Sequence, residues 1–209
     1  MSLNNVQGGG HMKNDEVKKS IINATIEIIE KSDGDIKNIT ARKIADKSGV
    51  ALGLINYHFG SKENLIAECC REIINEKLFG FTPDKVDYMA DDGLSDIERL
   101  ISFARQTFDY IYSNHSIAKI SIISDFKDYN PVGNSSLTQK GFQMALREDI
   151  SEKRKKFIAF SLASIMQTAF LAGDNSELIT GYSLKSKKQR DIFISDVVTM
   201  LMNDMTPKP

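Results

Sequence analysis

An all-α fold of about nine helices is what this 209-residue sequence predicts, and three observations carry it. Apolar residues recur along most of the chain at i, i+4 and i+7, the spacing of one helix face, and no stretch alternates with the period of two that marks a strand. Only four prolines and no tryptophan occur, among many Ile, Ala, Lys and Glu, a composition that favours helix. Between residues 40 and 60, two helices of about two turns each flank a turn at Gly49.

The bulk numbers narrow the class further. Apolar residues at 41% and charged residues at 26% exclude a disordered chain. The length suits one compact domain, or a small module joined to a larger one. Lys+Arg 27 against Asp+Glu 28 leaves a net charge of −1, which speaks against wholesale polyanion binding and leaves room for a local basic patch. No apolar run approaches the ~20 residues of a membrane span, and Met1-Ser2-Leu3-Asn4 is too polar for a signal peptide. A cytoplasmic protein without a membrane partner is expected. Adjacent Cys69 and Cys70 exclude a disulfide framework and fit a reducing compartment.

Residues 1–12 carry no period and read as an expression leader, with Met12 as the native start. From Asn14, Val17, Ile21, Ala24, Thr25 and Ile28 form the stripe of a first helix, widened by Ile22, Ile26 and Ile29. Ser32-Asp33-Gly34-Asp35 breaks it. Thr40 then caps a short helix over residues 41–47, and Gly49 supplies the left-handed turn residue. A second short helix runs from Ala51 to about Tyr57. Ser61 caps a longer one, with Leu65, Ile66, Cys69, Ile73 and Ile74 inward and Cys70 at its edge. Residues 81–93 connect. Ile97, Leu100, Ile101, Ala104, Phe108 and Ile111 mark the next helix, followed by helical segments from Ile117 to Phe126, Phe142 to Ile150, Ser151 to about Gly173, and Asp191 to Met205.

The short pair with its glycine turn describes a helix-turn-helix. Ala41, Ile44 and Ala45 line one face, and Val50, Ile55 and Phe59 fill the wedge between the helices. Leu52, Gly53, Asn56 and Tyr57 share the opposite arc, which holds no charge and an outward leucine. Such an arc suits a DNA major groove, where Asn bonds adenine at two points and an apolar side chain meets a thymine methyl. Lys37, Arg42, Lys43, Lys47 and Lys62 against Asp46 give residues 37–62 a charge of +4, leaving −5 for the rest. That is the electrostatic footprint of a DNA-reading head.

These residues resemble the TetR-type transcriptional regulators. T-x-x-x-I-A at Thr40, Ile44 and Ala45, then Ser48-Gly49-Val50, G-x-(I/L)-x-Y-H-F at Gly53, Ile55, Tyr57, His58 and Phe59, and S-K-E-x-L from Ser61 follow the family's order and spacing over about 45 residues. Ser48 stands where the family usually has Ala, Ala51 where it has Ser, and Asn56 where Tyr is common. Asn56 lies on the reading arc, so no relative's operator carries over. The resemblance implies a helix-turn-helix domain at 13–60 and an effector-binding and dimerisation domain at 61–209. It implies a homodimer on a pseudo-palindromic operator, a repressor released by a small-molecule effector. The competing reading is a helix-turn-helix activator or a DNA-independent interaction protein.

Thr40, Arg42, Leu52, Gly53, Leu54, Asn56, Tyr57, His58 and Lys62 are the DNA-contact candidates. His58 reads equally well as packing beneath the head. Phe103, Thr107, Tyr110, Met144, Met166 and Phe170 are candidates to line a pocket for an apolar or aromatic effector. The helix from Ser151 is apolar nearly all round. With Phe160, Ile194, Val197, Val198, Leu201 and Met205 it reads as half of a four-helix dimer bundle, against a purely internal core. His115, Asp125 and Asp128 could suggest a metal site, but three oxygen or nitrogen donors scattered over a helix bend are common by chance, so no metal is expected. With only His58 and His115 outside the first twelve residues, and no nucleophile motif or phosphate loop, neither an enzyme nor a cofactor is expected.

Overall fold

The computed structural model describes residues 8–78, 93–129, 131, 133–147 and 150–203, the side chains of 8–13 and 75–78 excepted. Among the described residues there are ten α-helices and no strand. The chain divides into two compact units, residues 1–73 with 116–121, and residues 74–115 with 122–209.

In the first unit, α1 (Gly8–Glu30) buries Ile21, Ile22, Ala24, Thr25 and Ile29 of the expected stripe, with Val17, Ile26 and Ile28 half-buried at its margins. It starts six residues before the expected Asn14. A helix extends backward without apolar partners, so periodicity does not mark that end. After a 3-10 turn at Ile36–Asn38 come α2 (Ala41–Ser48), α3 (Leu52–Phe59) and α4 (Lys62–Leu78). Thr40 Oγ1 accepts from the Lys43 N–H at 3.2 Å, and Gly49 ends α2 at φ +70°, where a side chain would be strained. Ser20 Oγ donates to the Ser48 carbonyl at 3.1 Å, tying α1 to this turn. Ser61 Oγ accepts from the Asn64 N–H at 3.0 Å and caps α4. Cys70 is buried alongside Cys69, not at an edge. The inward stripe of α4 is two residues wide, taking in Leu65, Ile66, Cys69, Cys70, Ile73 and Ile74. Burial pushes the Cys69 thiol far up, so it stays protonated and unreactive.

The second unit holds α5 (Asp96–Ser113), most of α6 (His115–Lys127), α7 (Asn134–Ala145), α8 (Glu152–Leu171), α9 (Ser176–Thr180) and α10 (Lys187–Met202). Helix α5 packs on α7, α8 and α10, and α8 on α7, α9 and α10. A reciprocal capping box of Ser95 and Glu98 starts α5. Arg154 Nη2 donates to the Leu201 carbonyl at 2.9 Å and the Asn203 carbonyl at 3.3 Å, closing the C-terminus of α10. The helix expected from Phe142 to Ile150 lies earlier, over Asn134–Ala145. Ser135 and Ser136, polar enough to read as loop, are buried there. Asp125 Oδ2 accepts from the Ser135 N–H at 2.8 Å, and Gln167 Nε2 donates to Ser135 Oγ at 2.7 Å. These long-range bonds outweigh local propensity. The connecting stretch read at 81–93 lies outside the described residues, apart from Gly93.

Candidate nucleic-acid interface

Helix α3 is held from beneath and bare above. Ile44 and Ala45 of α2 and Ile55 and Phe59 of α3 are buried, filling the expected wedge, and Val50 is half-buried. The small Ala45 side chain allows the close crossing. On the opposite side Leu52 is 51% exposed, Tyr57 75% exposed, and Asn56 is open to solvent. A Cβ built on Gly53 would meet no heavy atom within 4 Å, so nothing inside the protein requires a glycine there. The arc of Leu52, Gly53, Asn56 and Tyr57 is therefore one continuous outward face. Ala51 supplies no side-chain cap to α3; its carbonyl accepts from the Leu54 N–H at 2.9 Å.

The remaining candidates flank that face. Leu54 is half-buried and packs at its edge. His58 is also half-buried, its ring edge-on to Tyr57 at 5.1 Å and tilted on Phe59 at 6.1 Å, so it braces both aromatic neighbours. Thr40 is exposed with its oxygen committed to the α2 cap. Arg42 is exposed, with no ion pair among the described residues. Lys43 Nζ donates to the Asn38 carbonyl at 3.0 Å, and Lys62 Nζ lies 3.4 Å from Glu63. Lys47 pairs with Glu27 at 2.7 Å, and that hydrogen bond holds the Glu27 carboxyl below its ordinary value.

The expected effector residues are mostly consumed by packing. Met166 and Phe170 are buried in the core, and Phe170 meets Tyr112 and His115 ring to ring. Phe103 stacks edge-on with Phe142 at 5.5 Å, over Gly141, where a Cβ would fall 2.6 Å from its ring. Thr107 is buried and its hydroxyl donates to the Phe103 carbonyl at 2.9 Å; Tyr110 is half-buried. Met144 is 43% exposed at the surface. A stripe of aromatic and Met side chains reads the same whether it lines a cavity or packs a core, and here Phe103 and Phe170 each meet other rings. Sequence reading passed over Tyr112. Its hydroxyl is buried with no hydrogen-bond partner among the described residues, and Arg190 stacks on its ring at 4.6 Å. Burial raises its pKa.

The dimer residues also divide. Ile194, Val197 and Val198 are buried within their own unit, so the outward apolar stripe of α10 is instead Ile192 and Met200. Phe160 is 54% exposed, beside Phe157 on the same side of α8. Leu201 is half-buried, and Met205 lies outside the described residues. On α8, apolar nearly all round, and on α10, where Ile192 and Met200 stand outside the buried stripe, an amphipathic count does not tell inward from outward apolar residues. His115 packs on Phe170 while Asp125 bonds Ser135, so the residues weighed as metal ligands serve separate partners. No single helix among the described residues is long and apolar enough to cross a membrane.

Comparisons with known proteins fall on the same elements. Residues 21–69, from α1 into α4, match the family described as bacterial regulatory proteins, tetR family. A 94-residue stretch is 31% identical to the HTH-type transcriptional repressor KstR2 of Mycolicibacterium smegmatis, spanning 45% of this chain and 42% of that protein's length. The fold as a whole resembles a TetR transcriptional regulator from Rhodococcus sp. RHA1, with TM-score 0.63 at 14% identity over 92% of this chain and 99% of that one. It also resembles FadR from Bacillus subtilis, solved in complex with stearoyl-CoA, with TM-score 0.55 at 15% identity over 90% and 98%. The helix-turn-helix segment, residues 21–69, is thus similar to the tetR family of bacterial regulatory proteins, and the all-helical fold as a whole is similar to that of a solved TetR regulator.

Proposed function

We propose that the chain is a homodimeric transcriptional repressor that holds a pseudo-palindromic DNA site, each protomer laying α3 in a major groove, until a small-molecule effector releases it. The observation that carries this reading is the outward face of α3, uncharged, exposed and braced from below, in a stretch of sequence, residues 37–62, that carries Lys37, Arg42, Lys43, Lys47 and Lys62 against Asp46 alone. Cations at the rim meet phosphates while the neutral centre meets base edges. The match of residues 21–69 to the tetR family and the partial likeness to the repressor KstR2 support regulation, and repression as its sign.

A second copy would cover Phe157, Phe160, Ile192 and Met200, whose exposure together is costly for a lone chain. The effector would be largely apolar or aromatic. The interior of the second unit is built from Ile, Leu, Phe and Met, and Tyr112 offers one buried hydroxyl to a ligand's polar group. FadR, bound to stearoyl-CoA, supports a helical unit of this fold accepting a ligand with a long apolar part. Coupling of ~1–3 kcal/mol between effector and DNA would change operator affinity about 5–150-fold.

Equilibrium binding of the purified chain to duplex fragments from upstream of its own gene, over a salt series, tests this reading. Affinity should fall with salt, with a slope set by the phosphates neutralised, and Lys62→Ala should flatten that slope by about one unit. Binding no tighter than to unrelated duplex would favour the DNA-independent alternative.

A further inference from the structure

The residues on α3 also limit which base pairs it can read. Guanine is read in the major groove by a guanidinium or ammonium and cytosine by a carboxylate. Helix α3 carries neither: its exposed residues are Leu52, Gly53, Asn56 and Tyr57. The nearby cations do not supply what α3 lacks. Lys43 is turned onto the Asn38 carbonyl and Lys47 onto Glu27, while Arg42 and Lys62 stand on α2 and α4, off the reading helix, where they would meet phosphates. What α3 does present is an amide, which matches the paired donor and acceptor of adenine, and an outward leucine, which matches a thymine methyl. The open space over Gly53, between these two, lets the helix backbone approach the groove floor so that both short side chains can reach it.

We propose that the half-site read by α3 is made of A·T pairs, with an adenine bonded by Asn56 and a thymine methyl packed on Leu52. Leu52 and Asn56 are spaced i, i+4, which puts their Cβ atoms about 5–6 Å apart. With a base rise of about 3.4 Å, the two contacts fall one or two steps from each other. The inference rests on the DNA-reading function proposed above and specifies its substrate.

Selection of bound duplexes from a random pool by the full chain tests it, followed by duplexes in which the selected thymine is replaced by uracil, which removes only the C5 methyl. Enriched half-sites should carry A·T pairs at the α3 steps. Uracil should weaken wild-type binding about four-fold, the worth of one buried methyl. Leu52→Ala, at an exposed position and so not needed for folding, should bind thymine and uracil duplexes alike. Half-sites centred on an invariant G·C pair, or equal wild-type affinity for thymine and uracil, would overturn the inference while leaving DNA binding intact. A pool that yields no enriched duplex would overturn the DNA-reading function, and this inference with it.

Discussion

Three glycines of the first unit, each replaced by alanine, should change stability by three different amounts. Gly34 sits at φ +74°, and a Cβ there would stand 2.6 Å from Lys119 Cδ and 3.0 Å from Lys119 Cβ. The left-handed conformation costs an L-residue about 1–2 kcal/mol. Lys119 cannot simply swing clear, because its Cβ is fixed to α6 and its Nζ donates to the Asp33 carbonyl at 3.4 Å. Displacing it adds about 1–3 kcal/mol of overpacking, so Gly34→Ala should cost roughly 2–5 kcal/mol. Gly49 has a similar φ, +70°, but open space around it, so only the strain remains, about 1–2 kcal/mol. Gly53 has neither constraint. Alanine there restricts the unfolded chain and should stabilise by about 0.4–1 kcal/mol. Urea unfolding followed by circular dichroism should rank Gly53→Ala above wild type, then Gly49→Ala, then Gly34→Ala. The same Gly53→Ala protein should bind DNA less tightly, its new methyl standing where the groove floor must approach. Loss of stability in Gly53→Ala, or equal losses at Gly34 and Gly49, would refute the reasoning.

Phe160→Glu should leave the chain folded and monomeric in sedimentation, whereas Val198→Glu should unfold it. A carboxylate at a fully buried site costs several kcal/mol, and one at an exposed apolar site costs little until a partner covers it. Tyr112→Phe should raise stability by about 1–2 kcal/mol in thermal or urea unfolding, because it removes an unsatisfied buried hydroxyl. It should also remove those hits of a thermal-shift screen that carry a single polar group. Burial alone would raise the Asp109 pKa, but hydrogen bonds from Lys187 and Arg190 outweigh it and hold the carboxyl below its ordinary value. Asp109→Asn should therefore cost roughly 1.5–3 kcal/mol at pH 7. Because the folded value is the lower one, that gap should close as pH falls below about 4. A gap unchanged between pH 7 and pH 3 would show that this ion pair does not carry the difference.

The head was legible because its signals are local. Thr40, Ala45, Gly49, Ile55 and Phe59 each meet a requirement set by neighbours a few residues away, so pattern and structure agree. The second unit was legible only as helix. The start of α7 at Asn134 depends on Asp125 and Gln167, far along the chain, and α9, with five residues, is shorter than any period can register. The inward and outward stripes of α8 and α10 were confused because both are apolar. Phe160 and Val198 differ in burial, not in chemistry. Tyr112 escaped notice because a tyrosine beside Phe108 and Phe170 looks like core until the partner of its hydroxyl is sought.

The central claim is that two copies of this chain present α3 to duplex DNA, and the most direct measurement is selection of sheared genomic duplex by the purified protein, with the bound fragments sequenced. The account predicts enrichment of one site built from two inverted half-sites, their centres separated by about 10–10.5 base pairs or a multiple of it. It also predicts that Asn56→Ala relaxes one position in each half, at a cost of about 1–3 kcal/mol. A bound population without an inverted repeat, or one that Asn56→Ala selects with unchanged base preferences, would contradict it.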